Sequence, residues 1–187
     1  MQREQAKERI ILGIDPGTIV LGYGLVRQVG SKISLISMGV VKMGHLDDQA
    51  LKLQRIFHKV SALIAEYHPD CMALEAPFYG KNIQVMLKLG RAQGVAMAAG
   101  LMVDIPIVEY APRKIKQSVT GNGNASKEQV AAMLKNLLKF NETPEFLDAT
   151  DGLAVAVCHA FQQNTVSNAK SYSGWEAFVS DNKKRVR

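Results

Sequence analysis

Ile10-Ile11-Leu12-Gly13-Ile14-Asp15-Pro16-Gly17 is an apolar run that stops at an aspartate and a Pro-Gly pair. Apolar residues packed this densely over a few positions read as a buried strand. Pro-Gly ends it, because proline has no N–H for a ladder and glycine turns without steric cost. Residues 21–27 follow as a second strand, connected to the first as a hairpin, and Lys32–Lys42, with Ile33, Leu35, Met38 and Val40 largely alternating, reads as a third. An antiparallel meander therefore opens the chain.

After Gly44 the period changes. Leu53, Ile56, Phe57, Val60, Ile64 and Tyr67 follow helical spacing and stop before Pro69. Cys71–Glu75 reads as a buried strand, 83–102 as a helix rich in small residues, and 105–110 as a strand delimited by prolines. Ser126 and Gln129 have capping-box spacing and open a helix with apolar face Val130, Met133, Leu134 and Leu137. A last helix spans 148–161. Three strands followed by alternating strands and helices imply an α/β mixed sheet with helices on both faces and sites at strand ends.

The 187 residues suit one domain of ordinary size, and 47% hydrophobic with 21% charged residues excludes long disorder and collagen-like chains. Composition turns polar near Gln162. The expected division is a folded domain over 9–163 and a basic, flexible tail over 164–187, in which Trp175 and Phe178 stand. No apolar stretch is long enough for a bilayer and no export signal is legible, so a cytoplasmic protein is expected. Cys71 and Cys158, each in an apolar run, read as reduced core residues. The net charge of +6 is clustered: 113–139 holds six bases and one acid, 79–91 three bases and no acid, 181–187 four bases and one acid. Such clusters suit a polyanion partner, although a solvated face has the same composition.

Four carboxylates stand out. Asp15 ends the first strand, where an aspartate before Pro-Gly also serves as a turn former. Glu75 closes the apolar strand Cys71–Glu75, a place charges rarely occupy without a partner. Asp148 and Asp151 share one face at the start of the last helix. Capping the helix dipole accounts for them as well, yet Leu153-Ala154-Val155-Ala156-Val157-Cys158 is apolar all round, so the helix is buried and its acids must face something inside the fold. If the first and fourth strands are neighbours and this helix packs across them, all four acids converge. Four anions in one place call for hard cations such as Mg²⁺ or Mn²⁺. Two such ions can activate a water and stabilise the leaving oxygen in phosphodiester hydrolysis.

From residue 11 to residue 159 the chain resembles the RuvC family of Holliday-junction resolvases, on an RNase H-like fold. The matching segments include Ile11-Leu12-Gly13-Ile14-Asp15-Pro16-Gly17, Gly22-Tyr23-Gly24, Leu74-Glu75 with Phe78 and Gly80-Lys81-Asn82, and Leu87-Lys88-Leu89-Gly90-Arg91-Ala92-Gln93-Gly94. Tyr110-Ala111-Pro112-Arg113-Lys114-Ile115-Lys116-Gln117 and Asp148-Ala149-Thr150-Asp151-Gly152-Leu153-Ala154 complete the set. The opening motif alone is shared with other phosphate loops; the ordered set is specific. The resemblance implies a five-stranded sheet flanked by helices, with Asp15, Glu75, Asp148 and Asp151 as the metal-binding catalytic acids holding two Mg²⁺, which Mn²⁺ can replace.

The resemblance also places Lys116 and Lys127 beside the scissile phosphate, and makes Phe78, with Tyr79 sharing or replacing it, the aromatic residue that stacks near the junction centre. With the charge clusters it suggests Lys81, Asn82, Lys88, Arg91, Arg113 and Lys114 as further DNA contacts. Gly121-Asn122-Gly123-Asn124 reads either as a flexible link between two basic segments or as a simple turn. A four-way junction has approximate two-fold symmetry, so one site per chain implies a homodimer. Gly90, Gly94 and Ala98 on the small-residue helix offer either that interface or close packing on the chain's own sheet. Cooperation with the RuvA–RuvB branch-migration complex is the family expectation.

Two other function classes remain in view. The segment Gly13–Thr18 also resembles the first phosphate loop of actin-like ATPases and sugar kinases, but those join two such domains and this chain has room for one. A non-catalytic nucleic-acid-binding module on the same fold would have lost the acids, and all four are present.

Overall fold

The computed structural model describes residues 8–77, 82–140, 147–168 and 179–180. The expected roles of Phe78, Tyr79 and Lys81, and all of the tail beyond Asn168 except 179–180, lie outside them. Ten elements follow in the order β1 (Glu8–Asp15), β2 (Val20–Val29), β3 (Lys32–Lys42), α1 (Gln49–Tyr67), β4 (Cys71–Glu75), α2 (Ile83–Leu101), β5 (Ile107–Tyr110), α3 (Pro112–Thr120), α4 (Lys127–Leu138) and α5 (Leu147–Asn168).

The five strands form one mixed sheet in the order β3-β2-β1-β4-β5. β1 and β2, and β2 and β3, are antiparallel; β4 lies parallel to β1, and β5 parallel to β4. This is the meander followed by parallel strands that the patterning implies, and it makes β1 and β4 neighbours. Strand periodicity divides the core into two layers. Leu12, Ile14, Leu25, Met72 and Leu74 face α1 and α2. Ile11, Val26, Cys71 and Ala73 face α3, α4 and α5. Between Leu25 and Val26 the β2–β3 register shifts, so Leu25 pairs with Ser37 and Val26 with Leu35. The shift puts Leu35 and Met38, three residues apart, on the same layer, while Ile36 packs on the other. That is why the alternation along β3 is imperfect.

α5 is the central helix of its layer, with Leu153 to Ala160 buried throughout. It approaches the sheet closely because small residues line the contact. A Cβ at Gly13 would meet the backbone at Gly152 and Ala156, one at Gly22 the backbone of Asp148, and one at Gly24 the backbone of Leu153. The helix continues to Asn168, beyond the expected end at 161: the composition change near Gln162 alters the side chains, while the backbone remains helical.

α3 was not apparent from the periodicity. It is only nine residues long, buries only Ile115 and Val119, and is otherwise polar or basic, so no stripe declares it; Pro112 at its start and Gly121 at φ 77° as its left-handed cap are the local signals. Residues 121–124 form a fastened turn. Asn122 N–H donates to Thr120 Oγ1 (3.1 Å) and Asn124 N–H to Asn122 Oδ1 (3.0 Å). Of the two readings of this segment, the turn is the one the fold contains.

Candidate active site

β1 and β4 run parallel, so Asp15 and Glu75 emerge at the same edge of the sheet, one at the end of each strand. α5 begins over this edge. Its glycine-lined contact with β1 and β2 brings Asp148 and Asp151, in its first two turns, down onto Asp15. One carboxylate oxygen from each of Asp15, Asp148 and Asp151 lies within 4.8 Å of the others. Glu75 stands outside this triangle and joins Asp15 in lining an adjoining pocket of about 220 Å³, whose wall is Pro16, Ala76, Pro77, Leu89 and Gln93. All four expected acids are thus gathered at one place, three as a tight cluster and the fourth beside it.

The cluster shows in its protonation. Burial, then the charges of Glu75 and Asp151, hold the Asp15 carboxyl well above the ordinary carboxylate range, with Lys127 opposing. Burial, followed by Asp151, pushes Glu75 up to about 7, against the lowering effect of Lys127 and Lys116. Asp151 is also raised, chiefly by burial, although its hydrogen bond to Lys127 works the other way. Crowded acids that resist ionisation, presenting only oxygen donors, are the chemistry that a hard divalent cation relieves.

Two lysines reach the cluster. Lys127 is the first residue of α4, set by a complete capping box in which Ser126 N–H donates to Gln129 Oε1 (2.9 Å) and Gln129 N–H to Ser126 Oγ (3.3 Å). Its ammonium donates to Asp148 Oδ1 at 3.1 Å and pairs with Asp151 Oδ2 at 2.5 Å. Lys116, half-buried on α3, lies close enough for its charge to lower both Glu75 and Asp151. The unrecognised helix is therefore what delivers Lys116.

The other expected DNA contacts divide. Lys88 and Arg91 on α2 and Arg113 and Lys114 on α3 are exposed. Asn82 is spent at least in part on structure, since its Oδ1 accepts from Val85 N–H (3.2 Å) and caps α2. Gln93, buried in the pocket wall, was not singled out. Its signal is a lone amide on the buried small-residue face formed by Ala92, Ala96 and Ala99. Gly90 and Gly94 do not belong to that seam; both are exposed and would give a Cβ no neighbour within 4 Å.

Comparison with known proteins follows the same outline. The family model described as crossover junction endodeoxyribonuclease RuvC matches residues 11–159. A protein of that description from Cytophaga hutchinsonii is 59% identical over 180 residues, covering 96% of this chain and 89% of the relative. Another, from Bacteroides fragilis, is 54% identical over 186 residues, covering 98% of this chain and 99% of the relative. Among solved structures, Thermus thermophilus RuvC in complex with a Holliday junction substrate superposes with a TM-score of 0.78 at 31% identity, over 85% of this chain and 97% of that one.

Proposed function

The chain belongs to the RuvC family of crossover junction endodeoxyribonucleases, and from that premise we propose that it resolves Holliday junctions in recombination and repair by hydrolysing one phosphodiester bond in each of two opposed strands. The observation that carries this reading is the meeting of Asp15, Asp148 and Asp151 with Glu75 beside them at an open sheet edge flanked by basic helices. The junction-bound state of the Thermus thermophilus relative supports the substrate class.

The four acids would hold Mg²⁺, two ions per site, with Mn²⁺ as a substitute. Once bound, the metal supplies a nucleophilic water and charge compensation at the leaving oxygen. The chain's own groups do the remaining work. Asp15, Glu75 and Asp151, whose ionisation burial opposes, would be held in their ionised form by the bound metal, and the fixed origin of α5 on the sheet keeps the donors in place without reorganisation. Lys127, half-exposed and already at the cluster, turns its ammonium to the non-bridging oxygens of the scissile phosphate. Lys116 adds positive potential from the neighbouring helix α3.

Exposed Lys88, Arg91, Arg113 and Lys114 track phosphates on either side, which makes binding steeply salt-dependent and responsive to junction shape. Phe78, Tyr79 and Lys81, which follow Glu75 in sequence, act at the junction centre with Asn82. Stacking there is tolerable because the crossover is already unpaired.

A homodimer supplies the second nick. The outer face of α2 carries Ile83, Leu87, Gly90, Gly94, Ala98 and Leu101 at helical spacing, all exposed, with Ile83 at 73% and Leu101 at 59%. Small residues in the middle of this stripe let a second copy's backbone come close. In this reading residues 9–163 form the nuclease unit and 164–187 a basic appendage. The enzyme works in the cytoplasm with the RuvA–RuvB complex.

The deciding experiment incubates the protein with a labelled four-way junction, a linear duplex and a forked DNA, each with Mg²⁺ or EDTA. Symmetric, Mg²⁺-dependent nicking confined to the junction is expected. Equal cutting of the duplex would make it a general nuclease, and binding without cutting a non-catalytic module.

A further inference from the structure

We infer that Gln93 and Glu109, which no part of the metal cluster requires, form a positioning pair that sets where α2 lies along the sheet and thereby shapes the pocket beside Glu75. The inference rests on the nuclease reading above, since the property it predicts is a cleavage rate.

Gln93 is 7% exposed and, among the described residues, is the one side chain with a neutral polar group in the wall of the pocket that Asp15 and Glu75 line. Its Nε2 donates a hydrogen bond to Glu109 Oε1. Glu109 itself lies outside that pocket, on the edge strand β5, where it pairs in register with Leu74, the residue before Glu75. A carboxylate only accepts, so this contact also fixes which way the Gln93 amide is turned.

A lock matters here because the buried face of α2, which packs chiefly on α1 and meets the sheet where Gly100 faces Met72 and Ile107, is otherwise a seam of Ala92, Ala96 and Ala99, with Val95 and Met97 only partly buried beside it. Small side chains permit close approach but provide few knobs to resist sliding along the helix axis. The charged hydrogen bond supplies a directional constraint that the seam lacks. What it holds in place matters to the site. The second and third turns of α2 bring Leu89 and Gln93 into the pocket wall beside Asp15 and Glu75, and Asn82 caps the start of the helix. β5 fixes the other side, since Ala76 N–H donates to Tyr110 O and prolongs the β4–β5 pairing past Glu75. Gln93–Glu109 closes this frame by tying α2 to β5.

The test measures single-turnover cleavage of a saturating four-way junction, junction Kd, and amide hydrogen exchange of the metal-free protein. Glu109→Ala should cut about tenfold more slowly, in keeping with the sensitivity of aligned chemistry to small displacements, with Kd unchanged within about twofold and with faster exchange over residues 85–95. Glu109→Gln keeps an acceptor and should stay within about threefold of the wild-type rate. Gln93→Leu should match Glu109→Ala, and the double variant should be no slower than the slower single one. A wild-type rate in Glu109→Ala, an equal loss in Glu109→Gln, or multiplying losses in the double variant would overturn the pairing. Because Glu109 is exposed, its variants remain informative if Gln93→Leu does not fold. If the wild-type protein fails to cut the junction, the nuclease reading has failed instead, and the exchange data still decide whether the pair holds α2.

Discussion

The ammonium of Lys127 bridges Asp151 Oδ2 at 2.5 Å and Asp148 Oδ1 at 3.1 Å, linking the first residue of α4 to two acids one turn apart on α5. Burial acts to lower its pKa, but the hydrogen bonds and charges of Asp151 and Asp148 outweigh that and raise it, so it stays protonated among the acids. A built-in cation thus partly offsets the cluster's negative charge.

Lys127→Met should slow junction cleavage on the order of a hundredfold, the scale of losing one group that stabilises transition-state charge. Stability should fall by about 1–3 kcal/mol, since the lysine is half-exposed but Asp151, only 14% exposed, loses its partner. Single-turnover cleavage and urea unfolding measure the two effects. An unaltered rate would return Lys127 to a purely electrostatic partner of α5.

Asp15→Asn and Glu75→Gln should each abolish strand scission while leaving junction affinity intact, because they would remove proposed metal ligands and leave the basic surface of α2 and α3 untouched. Gel-shift and cleavage assays on the same labelled junction separate the two properties. Mg²⁺-dependent cutting by either variant would remove that residue from the catalytic set.

The raised acids predict how the metal-free protein responds to pH. Glu75 is pushed up to about 7, and Asp15 and Asp151 are raised, in each case by burial first. Their folded pKa values exceed the unfolded ones, so the folded state holds protons more tightly. The stabilisation this gives is fully present below about pH 4 and is lost as pH rises through about 7. Without metal, Tm should therefore fall from pH 5 to pH 8 through these groups. Mg²⁺ should reverse the loss above pH 7 and release protons on binding, which calorimetry in two buffers of different ionisation enthalpy detects. Binding without proton release would show that the acids are already ionised.

Gly152→Ala should destabilise the protein by about 1–3 kcal/mol or more, because the added Cβ would meet the backbone N of Tyr23 at 2.5 Å and backbone cannot yield cheaply. Lifting α5 should also weaken Mg²⁺ binding, through displacement of Asp148 and Asp151. Thermal unfolding with and without Mg²⁺ would register both. Normal stability would mean that α5 is free to shift.

Sedimentation equilibrium should return about twice the chain mass of 20.5 kDa. Gly94→Arg, at an exposed position where an added Cβ would have no neighbour within 4 Å among the described residues, should give a folded monomer with unchanged Tm at low concentration. Paired nicking within one junction's lifetime should be lost with it. A dimeric Gly94→Arg protein would move the interface away from this face.

The periodicities of β1 to β4, α1 and α4, the capping box at Ser126, and the identities of the four acids are all legible in the chain, because each depends on neighbours a few residues apart burying one face or closing one turn. Even there the pattern blurs where a long-range feature intrudes, as at Ile36, where the β2–β3 register shift changes the face. α3 escapes because nine mainly polar residues with two buried positions carry too little periodicity to register.

What sequence alone could not decide is distance. By itself Asp15 reads equally as a turn former and Asp148 as a helix cap, and it is packing that brings them together: glycines on β1 and β2 let α5 lie against the sheet and lower its acids onto the strand end. The bridge from Lys127 and the tie from Gln93 to Glu109 have the same origin. Each joins groups whose separation is set by how closely whole elements approach, and that depends on side-chain volumes spread over the entire core.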